Sequence, residues 1–172
     1  MSTLEVNTIN PQSGSTITLG SSGNTVTLGS GVSGSGFGKI GQVIHGTTST
    51  TFTTTSTSYV DSGFDIVITP SSTSSKIFVQ FVVGTYMTGA GQGCQLAIYR
   101  NDSVSLTPNT LGGWERSETA GHYATIPVIA LDSPNTTSAV TYTLYSMSRQ
   151  GSGINAPNGG SQNSVIAMEV LA

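Results

Sequence analysis

The chain has 172 residues, enough for one ordinary domain and an extension but too few for two large domains. Ser and Thr supply 26 residues each and Gly another 22, while only 13 residues are charged and the net charge is −3. The five basic residues (Lys39, Lys76, Arg100, Arg116, Arg149) are scattered, which argues against a nucleic-acid partner held by phosphate neutralisation.

Cys94 is the only cysteine, so no intrachain disulfide can form and an oxidising compartment is not indicated. Met1-Ser2-Thr3-Leu4-Glu5-Val6 lacks a basic n-region and an apolar core of signal-peptide length. The longest apolar stretch, Ile77 to Val83, is too short to cross a bilayer. The expectation is synthesis in a cytoplasm without membrane insertion. Abundant Thr, Val and Ile favour strands, and Gly, Asn and Ser favour turns, so an all-β chain is expected rather than a disordered one.

Leu4, Val6 and Ile9 form a weak extended element before Pro11. Thr16-Ile17-Thr18-Leu19-Gly20 returns nine residues later as Thr25-Val26-Thr27-Leu28-Gly29. Each run alternates with period two, so Ile17 and Leu19, like Val26 and Leu28, share one strand face. Two such strands cannot bury that face alone. They need copies of themselves, a neighbouring chain or a larger assembly. Gly29 to Gly36 is a Gly/Ser linker, and the predicted boundary falls at about Gly38. Residues 1–38 are read as an attachment segment and 39–172 as a folded head.

The head opens with a strand at 40–44, and the Thr/Ser run 47–57 reads as an exposed strand. Tyr59-Val60 and Phe64–Ile68 are short strands around a turn at Ser62-Gly63. Residues 76–86 form the strongest strand, with Ile77, Val79, Phe81 and Val83 on one face and Phe78 and Val82 on the other. Both faces are apolar, which predicts a central strand covered on both sides. Cys94–Arg100 and 103–106 form a hairpin through Asn101-Asp102. Residues 107–121, with the only tryptophan, read as irregular. Tyr123–Leu131 is a strand whose Pro127 predicts an edge or a bulge. Strands at 140–148 and 165–171 flank a Gly/Asn-rich loop at 150–162. Eight or nine strands with regular turn signals predict a jelly-roll-type β-sandwich with an extended N-terminal β-segment.

Little in the chain carries chemistry. Gly36-Phe37-Gly38-Lys39-Ile40-Gly41 matches G-x-G-x-x-G, but a linker precedes it and a strand-like run follows, so no phosphate-holding helix is expected. No G-x-S-x-G nucleophile elbow occurs. Glu115, Glu118 and His122 would share a face only on a helix, and the surrounding glycines argue against one. Carboxylates for glycoside hydrolysis would have to come from Glu115, Glu118 and Asp132. No catalytic residue, metal or cofactor is assigned. Cys94 reads as an inert core thiol. Trp114 suits either a plug at one end of the sandwich or stacking on sugar faces. Trp114, Tyr86 and Tyr123 are the candidate glycan contacts.

Leu4-Glu5-Val6-Asn7-Thr8-Ile9 and the repeats that follow resemble the N-termini of bacteriophage tail-fibre and virion-appendage proteins, especially those of cyanophages and marine phages. Ser58-Tyr59-Val60-Asp61-Ser62-Gly63-Phe64, Ile68-Thr69-Pro70 through Lys76-Ile77, and Leu131-Asp132-Ser133-Pro134 with Val140-Thr141-Tyr142 resemble a recurrent phage C-terminal domain. The resemblance implies a homotrimer, a virion location and a role in host attachment or capsid decoration. It implies no catalytic residues. The expected function is a trimeric tail fibre, with Leu4, Val6, Ile9, Ile17, Leu19, Val26 and Leu28 anchoring or trimerising it and the head binding host-surface glycan. A head-decoration or cement protein is the alternative, and a fibre-tip glycan hydrolase the minor one.

Overall fold

The computed structural model describes residues 9, 13–14, 39–107 and 113–171. The chain divides into two units, Met1–Phe37 and Gly38–Ala172, and the fold is that of the second. Eleven strands and no helix occur among the described residues.

They are β1 (Ile40–Thr48), β2 (Thr53–Thr54), β3 (Val60–Ile68), β4 (Lys76–Met87), β5 (Gln92–Arg100), β6 (Val104–Ser105), β7 (Trp114–Ser117), β8 (His122–Asp132), β9 (Val140–Ser148), β10 (Ile154–Asn155) and β11 (Asn163–Val170). All pairings are antiparallel. In the first sheet β4 pairs β8 along one edge, and β11 followed by β10 along the other; β1 lies outside β11 and β2 outside β10. The second sheet runs β3, β9, β5, then β7 and β6 side by side along the far edge of β5. Consecutive long strands alternate between the sheets, except that β5 leads to β7 in the same one. This is the double Greek key of a jelly roll.

Period-two alternation builds the core. Ile77, Val79, Phe81 and Val83 of β4 point inward with Ile126 and Val128 of β8, and meet Phe64, Ile66, Leu96, Ile98, Tyr142 and Leu144 of the second sheet. Phe64 and Phe81 touch edge to face across the sandwich, with centroids 5.2 Å apart. Two polar clusters lie at one end, where Glu169 and Asp132 flank Ile77 in a single row of the first sheet. Asp132 accepts from Arg100 and from the Tyr142 hydroxyl. Glu169 accepts from Gln42 and from the backbone N–H and hydroxyl of Ser71.

Several expectations change at this level. The predicted turn at Ser62-Gly63 is a bulge inside one continuous strand, β3. Gly63 takes φ +70°, and the Asp61 carboxylate accepts its N–H at 2.7 Å, so the extra residues leave the ladder without reversing the chain. The Thr/Ser run is not one strand: β1 ends at Thr48 and only Thr53–Thr54 pairs again. Residues 114–117 are strand rather than loop, because β5 offers a free edge to β7. The 150–162 loop contributes β10 to fill the edge of β4 beyond β11. The hairpin at Asn101-Asp102 forms as expected, both residues having positive φ. Pro127 lies on β8, which among the described residues pairs only β4 and is therefore an edge.

Candidate functional site

The inner face of the sandwich is filled, so any recognition surface lies on the outer faces or at their edges. The two outer faces differ in chemistry. Residues paired directly across neighbouring strands share a face, so the register gives each face row by row.

On the first sheet one row reads Val43, Met168, Phe78, Leu131 across β1, β11, β4 and β8. The next reads His45, Ile166, Gln80, Ile129, and the third Thr47, Ser164, Val82, Pro127. Tyr86 pairs Tyr123 at the far end, their ring centroids 4.6 Å apart. Val43, Ile129, Leu131 and Tyr123 are 58%, 49%, 60% and 66% exposed. The expectation that β4 is covered on both sides is thus half met. It is central, yet Phe78, Val82 and Tyr86 are only partly buried, because the described fold places nothing over that face.

The second sheet shows the usual polar-out alternation at its β3 edge, where Asp61 and Asp65 are exposed. Its middle carries an aromatic cluster. Tyr99 of β5 lies against Tyr145 of β9 with centroids 4.1 Å apart, and Tyr59 meets Tyr99 edge-on at 6.2 Å. Burial pushes the Tyr145 phenol up to about 12, and the nearby carboxylates of Asp102 and Asp61 add to the shift. Burial and the neighbouring Tyr99 also raise Tyr59. The Tyr59 and Tyr145 hydroxyls therefore stay protonated at neutral pH. Further along, Trp114 pairs Gln95 across β7 and β5, and the Arg149 guanidinium sits 5.5 Å from the Trp114 ring centroid.

The three aromatic residues singled out from sequence are therefore split. Tyr86 and Tyr123 adjoin one another on the first sheet, while Trp114 belongs to the second. Trp114 is 53% exposed and does not plug the sandwich. Ile9 is 54% exposed; Leu4, Val6, Ile17, Leu19, Val26 and Leu28 lie outside the described residues. Tyr59, Tyr99 and Tyr145 escaped the sequence reading. The available signal was parity: Tyr99 and Tyr145 follow the inward residues Ile98 and Leu144 by one position, so they must face out.

Among the described residues no group of three or more metal-ligating side chains occurs. His122 lies 3.5 Å from Glu115, whereas Glu118 turns to Arg116 at 3.4 Å. Asp132 is buried and engaged by Arg100 and Tyr142. Cys94 is fully buried, and burial pushes its thiol up to about 12. An open hollow of about 360 Å³ is lined by Thr47, Thr48, Ser49, Ser161 and Gln162, with no charged group.

No family model and no curated protein matches the chain. Among solved structures, the VP2 subviral particle of infectious bursal disease virus is similar at 13% identity, and the Gx strain of that virus at 14%. Each match covers 76% of this chain with a TM-score of 0.42, and this chain spans 37% of the VP2 chain's length.

Proposed function

We propose that the chain is a structural protein of a virus particle, a trimeric appendage whose N-terminal segment holds the particle and whose jelly roll binds glycan on the host surface. The observation that carries this reading is the outer face of the second sheet. Tyrosine and tryptophan rings offer apolar surface to the C–H faces of sugars, and their tips and neighbours supply hydrogen bonds. Tyr99, Tyr145 and Tyr59 supply the rings, Asp61 and Asp102 the acceptors, and Arg149 a donor. The resemblance of residues 4–9, 58–64 and 68–77 to phage appendage proteins supports a virion setting.

Binding of the purified full chain to host cells and to their extracted surface polysaccharides tests the reading. Tyr99→Ala and Tyr145→Ala are expected to weaken binding tenfold or more while the far-ultraviolet circular dichroism spectrum stays unchanged. A wild-type chain that binds neither cells nor polysaccharide overturns attachment. The apolar outer face of the first sheet favours a second reading, a capsid-decorating protein whose face lies on the shell. Labelling of intact particles separates the two: a few copies at the tail support the fibre, and many over the head support decoration.

A further inference from the structure

We infer that copies of this chain meet through the outer face of the first sheet. This inference is independent of glycan binding. Antiparallel sheets that face water alternate apolar and polar residues, and β3 of this same chain does so. On β8 the outward positions read Tyr123, Thr125, Pro127, Ile129 and Leu131, all exposed. Apart from Thr125 these are apolar, and with Val43, Met168, Phe78 and Val82 they form a contiguous apolar patch, which marks an interaction surface.

Its size and charge identify the occupant. Four strands spaced ~4.8 Å apart, over ten residues rising ~3.3 Å each, span roughly 600 Å² in plan. Side-chain relief brings that toward the ~800 Å² that each partner buries in a stable protein interface. Charge is sparse: among the described residues Lys76, at one end, is the only Lys, Arg, Asp or Glu on the face. A glycan would leave most of this surface wet. A charged partner would find nothing to pair with. A second copy presents the same flat, uncharged apolar sheet, and closed symmetry covers the face in every copy at once. Tyr86 and Tyr123 then belong to the assembly rather than to glycan contact.

The test uses the purified full chain. The unmodified chain is expected to have a solution mass of at least twice its 17.6 kDa by light scattering. Cys94 is buried, so a single introduced cysteine is the one reactive thiol. I129C and L131C, treated with bismaleimides of graded length, are expected to give cross-linked dimers on denaturing gels, the most that one thiol per chain allows. V67C, 48% exposed on the second sheet, serves as control and is expected to stay monomeric. A monomeric unmodified chain overturns the inference. So does an oligomer in which neither I129C nor L131C cross-links, or in which V67C cross-links equally well.

Discussion

Arg100, the last residue of β5, sets one guanidinium nitrogen 2.9 Å from each carboxylate oxygen of Asp132, the last residue of β8, so a single ion pair clamps one sheet to the other. The Tyr142 hydroxyl donates to the same carboxylate at 2.8 Å, and burial together with that bond raises the phenol's pKa. Asp132→Ala leaves a guanidinium and a buried hydroxyl without their acceptor. The expected cost is on the order of 3 kcal/mol. In a thermal melt that lowers the midpoint by roughly 10 °C; a shift under 2 °C would sink the clamp.

Glu169 sets the acid limit of the fold. Burial alone raises its pKa, but hydrogen bonds from Ser71 and Gln42 outweigh burial and bring it from 4.5 down to about 2. A depressed folded pKa contributes stability that is complete above the unfolded value and is lost as protons bind the folded carboxylate. Denaturant midpoints are therefore expected to hold steady above pH 5 and to fall between about pH 4.5 and 2. Glu169→Gln is expected to be less stable at pH 7 and to lack its share of that acid slope. An unaltered slope in the variant would refute the assignment.

Asn163 knots the β10–β11 excursion to the sheet. Its side-chain oxygen accepts the Gly84 N–H at 2.8 Å, and its amide donates to the carbonyls of Thr48, Asn158 and Ser161. The residue is fully buried, so Asn163→Ala strands several backbone groups away from water. The expected loss is about 2–3 kcal/mol, with faster hydrogen exchange at Gly84 than at Val79. Equal exchange at both amides would count against it.

Cys94 is expected to resist thiol reagents in the folded chain. Its side chain is fully buried and its thiol is pushed up to about 12, so the nucleophilic thiolate is scarce at neutral pH. Modification should follow the unfolding rate and be complete only in denaturant. Rapid stoichiometric labelling under native conditions would contradict the packing.

Much of the jelly roll is legible in the chain because inward and outward residues alternate along most of each long strand. Ile77, Val79, Phe81 and Val83 declare β4, and Asn101-Asp102 declares the hairpin that follows β5. Short elements such as β2, β7 and β10 are not legible. Two to four residues carry too little pattern, and these strands form because a longer neighbour leaves backbone groups unpaired at its edge. The bulge at Ser62-Gly63 was misread because a positive-φ glycine serves equally in a turn and in a bulge.

By itself, then, the sequence determined that the chain is β-rich, where its long strands run, and that β4 is apolar on both faces. That information is local, since side-chain alternation needs only the neighbouring residues. The tertiary structure alone decided that Trp114 and Tyr123 lie on different sheets, that Tyr59, Tyr99 and Tyr145 converge, and that the second apolar face of β4 stays partly open. Those outcomes depend on which strands pair and in what register. Pairing is set by burying a common core between segments far apart in the chain, and no local pattern records it.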